Sequence, residues 1–132
     1  MLEKIRQDHP RLKIIITEDG LSSNAPHIRD LKNAEMSYIL GAKPGDHKSL
    51  FEEYDLAGER CKKVIKRAEK GVVHLLHYVN DLPLNNSNPD VRVNFLDYVE
   101  CHPKDKEIHF SWVTDIEITD ENAYQIMQAG RA

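Results

Sequence analysis

The sequence predicts an α/β fold in which a mainly antiparallel β block is inserted between α/β elements. Three observations lead to it. Residues 12 to 42 read as strand, helix and strand in quick succession, the pattern of a parallel pair joined by a short crossover. Residues 59 to 114 instead show period-2 alternation broken by turn-forming stretches, the pattern of hairpins. Two further segments, 46 to 54 and 119 to 130, carry apolar residues at helical spacing.

Taken in order, "LEKIRQDH" puts Leu2 and Ile5 on one helical face and stops at Pro10, which lacks the donor a helix interior needs. Leu12 to Thr17 runs through Ile14, Ile15 and Ile16 without alternation, which suits a central strand covered on both faces. Ser23 or Asn24 can cap the next helix, Pro26 fits its first turn, and Ile28 and Leu31 form its inward stripe. "SYILGAK" is then a second strand, adjacent and parallel to the first. Asp46 can cap a helix with Leu50, Phe51 and Tyr54 on one side. "RCKKVIKR", "AEKG" and "VVHLLHYV" read as two strands about a tight glycine turn. Arg60 to Lys70 can also be drawn as a helix, but the hairpin is preferred. After the polar loop "LPLNNSNPD", Val91, Val93, Phe95, Val99 and Cys101 share one face of a strand whose partner is "EIHFSWVT". Thr119 can cap a last helix bearing Ala123, Ile126 and Met127, with Gly130 available to end it. The chain thus divides into an α/β part at 1–58, a β-rich part at 59–114, and a helix at 115–132 returning toward the core.

With 40% hydrophobic and 30% charged residues, the 132-residue chain has the composition of one globular domain with a modest core. No apolar run approaches the ~20 residues a spanning helix needs, and the mixed "MLEKIRQDHP" is no signal peptide, so a cytoplasmic location without a membrane partner is expected. Cys61 and Cys101 form no CxxC pair and imply neither a disulfide framework nor a zinc ribbon. The net charge of −4 argues against a freestanding nucleic-acid binder, so any contact with DNA must rest on a local patch.

An acid at the carboxyl end of a sheet strand lies where open α/β sheets keep their ligands, and Glu18 and Asp19 occupy that place. They alternate across the strand, so at most one faces a given site; by themselves they are as well explained as a strand end. "GLSSN" does not fit the G-x-S-x-G elbow, and Ser22 and Ser23 read as turn and cap residues. His74, His77, Cys101 and His109 invite a zinc reading, but an i, i+3 pair on a strand faces opposite ways. Arg60, Lys62, Lys63, Lys66, Arg67 and Lys70 form the one basic cluster, either a solvated face or a surface for DNA phosphates. Phe95, Phe110 and Trp112 read as core of the β block rather than as a base-stacking platform.

The ordered set "ITEDGLSSNAPHIRDLKNAEMSYILGAKPGDHKSLFE", "VNFLDYVE" with "HFSWVTDIEIT", and "NAYQIMQAGRA" resembles the DDE transposases of bacterial insertion sequences over nearly the whole chain. The resemblance implies a partial RNase H-like sheet with flanking helices, in which three carboxylates hold two divalent metals, Mg²⁺ or Mn²⁺. It matches Asp19 to the family's second aspartate, catalytic and metal-binding, and residues 59–114 to an insertion that some members carry before the catalytic glutamate. It also implies DNA, the transposon ends, as partner, with metal-dependent strand cleavage and transfer as the activity. Several acids are needed because two hard cations about 4 Å apart carry too much charge for one carboxylate.

Family members are several times longer, with the first aspartate upstream and the glutamate on a helix that would begin just after Ala132. The chain is therefore expected to be an internal fragment, inactive by itself and weak at best for Mg²⁺. An uncovered sheet edge would favour self-association. The competing expectation is a small self-standing binding or regulatory protein, whose basic hairpin meets a partner while Asp19 is structural.

Overall fold

In register, Ile15 lies beside Ser37 and Glu18 beside Leu40, so the first two strands of this computed structural model, β1 (Ile15–Glu18) and β2 (Ser37–Gly41), are adjacent and parallel as expected. The structure describes residues 15–18 and 24–131. The expected first helix, the beginning of the first strand, and Asp19, Ser22 and Ser23 lie outside the described residues. Between the two strands runs α1 (Ala25–Asn33), capped by Asn24, whose side chain accepts from the His27 backbone N–H at 3.0 Å, with Ile28 and Leu31 buried. After β2 come α2 (Lys48–Asp55), β3 (Lys62–Arg67), β4 (Val73–Pro83), β5 (Arg92–Cys101), β6 (Ile108–Thr114) and α3 (Ala123–Arg131).

All six strands form one mixed sheet in the order β1-β2-β6-β5-β4-β3, so the fold is α/β. The antiparallel block does not stand apart. Its last strand, β6, pairs antiparallel with β2, Ile39 opposite Thr114 and Gly41 opposite Trp112. Alternation along each strand then builds two cores. Tyr38, Leu40, Val79, Phe95 and Val113 meet α1 and α2 on one face; Ile39, Leu76, Leu96, Tyr98 and Trp112 meet α3 on the other. The layers are helix, sheet, helix.

Residues 62–83 are the expected hairpin. Two successive residues at positive φ, Lys70 at 60° and Gly71 at 76°, reverse the chain, and at Gly71 a Cβ would also stand 2.7 Å from Pro103 Cγ. A bulge follows at Asp81 (φ 61°), where the register between β4 and β5 shifts. Asn80 pins the connection to α3 from both sides: its amide N–H donates to the Ile118 carbonyl at 2.9 Å and its carbonyl accepts from the Ile118 N–H at 3.0 Å.

Four expectations are corrected. β1 is not central: it is the edge of the sheet among the described residues, with Ile15 46% exposed, since α3 spends its apolar stripe on the neighbouring strands. Asp46 does not cap α2; His47 occupies that position and makes no capping side-chain bond. The one-faced reading of β5 is incomplete, because Leu96 and Tyr98 are as fully buried as Phe95, making β5 the strand covered on both faces. Phe110 is not core. It is 41% exposed and stacks on buried Trp112 at 5.7 Å.

No helix among the described residues is long and apolar enough to cross a membrane. Gly130 is what lets α3 approach the sheet: a Cβ there would lie 2.7 Å from Trp112 Nε1 and 2.8 Å from Cε2. Trp112 is buried and has little room to yield. Gly130→Ala should gain about 1 kcal/mol of helix propensity yet lose about 1–3 kcal/mol to overpacking. Net destabilisation, read as a lower urea midpoint from the emission of the single tryptophan, is the expected result; an unchanged or higher midpoint would show that the contact is slack.

Candidate functional site

Because β1 and β2 are parallel, their carboxyl ends meet at one rim of the sheet, the usual place for a ligand in open α/β sheets. A cavity of about 650 Å³ opens there. β1 contributes Thr17 and Glu18, and β2 contributes Gly41 with the following Ala42, Lys43 and Pro44. Since β6 runs opposite to β2, its first half, His109 to Trp112, reaches the same rim. Gly130 and Arg131 close the wall from the end of α3.

Glu18 turns toward α1: its Oε1 is 2.8 Å from His27 Nε2, in the first turn that Asn24 caps. Asp97 of β5 does not line the cavity; its side chain, 14% exposed, accepts from Ser111 Oγ at 2.7 Å and meets His109 Nε2 at 2.5 Å with the same Oδ1. A serine nucleophile needs a base between acid and hydroxyl; here the acid sits between the other two. This arrangement orients His109 and Ser111 and does not activate the hydroxyl. Arg131 Nη1 donates to Glu100 Oε2 at 2.8 Å, and its guanidinium carbon lies 5.1 Å from the Phe110 ring centroid. Lys43 and Arg131 bring positive charge to the cavity, Glu18 is the one carboxylate of its wall among the described residues, and exposed Phe110 offers an apolar ring. Such a wall suits an anionic ligand with an apolar part.

Asp19 follows Glu18 directly in sequence but lies outside the described residues. Among the described residues, no three His, Cys, Asp or Glu side chains group so as to hold a metal ion. The described donors by themselves therefore do not make a site for a divalent pair. His74 and His77 face opposite ways as expected, His74 buried against Tyr98 and His77 half-buried on the other face. Both cysteines are free thiols.

The basic cluster is at the other edge of the sheet, five inter-strand steps from β1, roughly 24 Å. The structure does not bring it to the cavity. Its members also have different surroundings. Arg60 donates to the carbonyls of Asn80 (2.6 Å) and Asp81 (2.9 Å) and so supports the bulge. Lys66 Nζ stands 3.7 Å from the Tyr124 ring centroid. Lys62, Lys63 and Arg67 are exposed along β3, with Lys63 and Arg67 on one face and Lys62 on the other, and Lys70 is exposed in the turn.

Sequence reasoning missed the Glu18–His27 pair, the Asp97 cluster and Arg131. One signal was available: Asp97 interrupts the apolar face that carries Phe95 and Val99, and centring the "HPKDK" turn sets Ser111 opposite it. No family model matches the chain, and no curated protein matches it.

Tyrosines line both cores, and their ionisation is a check on the packing. Burial pushes the Tyr98 phenol up to about 12, with Glu100 adding to the rise; burial and the 2.6 Å bond to Asp120 push Tyr78 to about 12. Because both folded values lie above the ordinary 10, the stability these groups contribute is complete below pH 10 and is lost as pH rises through 12. Tyrosinate absorbance should show both ionising near 12, together with a falling unfolding midpoint. Ionisation of both at pH 10 in the folded chain would contradict the packing.

Proposed function

We propose that these residues belong to the catalytic domain of a DDE transposase, a metal-dependent enzyme that cuts and joins DNA strands, with Asp19 among its catalytic, metal-holding acids. The observation that carries the reading is the place Glu18 takes on β1. Glu18, which Asp19 follows in sequence, lies at the carboxyl end of a parallel strand pair and lines a cavity that Lys43 and Arg131 make hospitable to phosphate. The ordered motifs that resemble the family support it, and so does the α/β sheet with helices on both faces.

In this reading Asp19, together with acids outside these 132 residues, would hold Mg²⁺ or Mn²⁺, which when bound would supply the Lewis acid for displacement at phosphorus. DNA is the partner, and the setting is cytoplasmic. Purified alone, the 132-residue chain should not nick supercoiled DNA with either metal. Joined to its flanking reading frame it should, and Asp19→Asn should lower that rate by orders of magnitude, since it removes charge with little change of shape. Metal-dependent nicking by the 132 residues alone, abolished by Asp19→Asn, would show a complete site and overturn the fragment reading.

The exposed cations of β3 favour a second, compatible role in holding the DNA backbone. Binding should be indifferent to sequence and steeply salt-dependent. Reversing Lys62, Lys63 and Arg67 to glutamate should flatten the slope of log K against log salt by about 3 on duplex DNA, the loss of three phosphate contacts. Equal retention of labelled duplex by both proteins would remove β3 from the interface. Duplex binding lost on reversal, without any nicking by the extended frame, would instead favour a self-standing binding protein. The edge of β1, unpaired among the described residues, is in the same reading where a second copy or the family's further strands would add; a strict monomer at high concentration would argue against the second copy.

A further inference from the structure

α3 meets the sheet through an apolar contact and a polar seam. Ala123, Ile126 and Met127 close the core with Ile39, Leu76, Leu96 and Trp112. Beside them His74, buried on β4, stands in register between Lys66 of β3 and Glu100 of β5. Its Nδ1 is 2.7 Å from the Tyr98 hydroxyl, and its ring meets Tyr124 of α3 at 5.3 Å, edge to face. Lys66 covers the same Tyr124 ring. Arg131, at the other end of α3, bonds Glu100 and lies 3.5 Å from the Tyr98 hydroxyl oxygen, while His102 Nε2 is 3.5 Å from Glu100 Oε1.

The charged and titratable groups facing His74 are thus Lys66 from β3, Glu100 and Tyr98 from β5, His102 from the turn after β5, and Arg131 and Tyr124 from α3. Lys66 and Arg131 are permanent cations. The single carboxylate is already bonded to one of them. With a neutral imidazole these groups already sum to one positive charge, and a proton on it adds a second, buried one that Glu100 has no further capacity to offset.

We propose that His74 is a proton-operated latch on α3: neutral, it docks the helix through Tyr98 and Tyr124; protonated, it drives off the helix that carries Arg131, opening the cavity wall. Burial lowers the His74 pKa below its ordinary 6.5, Lys66, Arg131 and His102 lower it further, and Glu100 alone opposes them. With the folded value depressed, the docked state is fully favoured above pH 6.5 and loses stability as pH falls from there through the folded value. The latch stands independently of the transposase reading, since it needs no DNA and no metal.

Two readouts are built in. Trp112 is the sole tryptophan, and Gly130 of α3 rests on its indole, so its emission follows docking; amide exchange over 123–131 follows the helix itself. In the 132-residue chain, α3 protection relative to α1 should fall about tenfold for each pH unit between 6.5 and the folded His74 value, with a parallel change in emission. His74→Gln should stay docked at pH 5 and lose this dependence, and His102→Gln should keep it. An unchanged pH profile in His74→Gln, or α3 protection in the wild type that is constant relative to α1 down to pH 5, would overturn the latch. Titration of the His74 imidazole by NMR in the wild type needs no variant to fold: a value below 6.5 supports the latch, and one at or above 6.5 refutes it.

Discussion

The pairing of β2 with β6 is the constraint on which the rest of the molecule depends. Without it there would be a short parallel pair with its helix, and separately a four-stranded antiparallel sheet. The few backbone bonds between Ile39–Gly41 and Trp112–Thr114 merge the two into one sheet and allow α1, α2 and α3 to sandwich it. They also set the geometry of the rim. Because β6 runs against β2, the residues that begin β6 arrive at the end of β1 and β2, and His109, Phe110 and Ser111 become cavity wall rather than distant surface.

β5 and its neighbours supply the stiffness that this arrangement requires. Phe95 takes two rings from α2, Phe51 at 5.0 Å and Tyr54 at 4.6 Å, while Leu96 and Tyr98 fill the opposite core. Burial, with Asp97 next in importance, pushes the Tyr54 phenol far above its ordinary value, a sign of how closely α2 seals that end of the sheet. The polar groups are satisfied locally: among the described residues no buried side-chain nitrogen or oxygen lacks a partner. Asn80 and Asn94 tie down the segment between β6 and α3, so the helix is delivered to one place on the sheet.

Local rules were legible in the sequence. The Asn24 cap, the Pro26 first turn, the inward Ile28 and Leu31, the parallel pair and the glycine turn of the β3–β4 hairpin each depend on residues within a few positions of one another, and each is present. What could not be read depends on register between distant segments. Nothing near Ile39 indicates that Thr114 will lie beside it, and only that pairing turns Trp112 inward under α3 while leaving Phe110 outside. Asp46 shows the same limit at short range: a suitable capping residue precedes α2, yet the turn carries the chain one residue further before the helix begins. At the candidate site, the acid pair was visible as chemistry, but the Lys43–Arg131 wall was not, since α3 reaches the rim only through tertiary packing.

The two margins of the sheet have opposite character. Among the described residues β1 carries Ile15, Ile16 and Thr17 before Glu18 and has no cation, whereas β3 presents Lys62, Lys63 and Arg67 along its length. A strand brought up to β3 would have to approach a row of ammonium and guanidinium groups, a common means of keeping a sheet from being extended. Joining two copies through β1 would therefore place a charged border at both outer ends. Growth by edge addition would terminate at the pair, and the same sheet that accepts one neighbour would be protected from becoming a fibre.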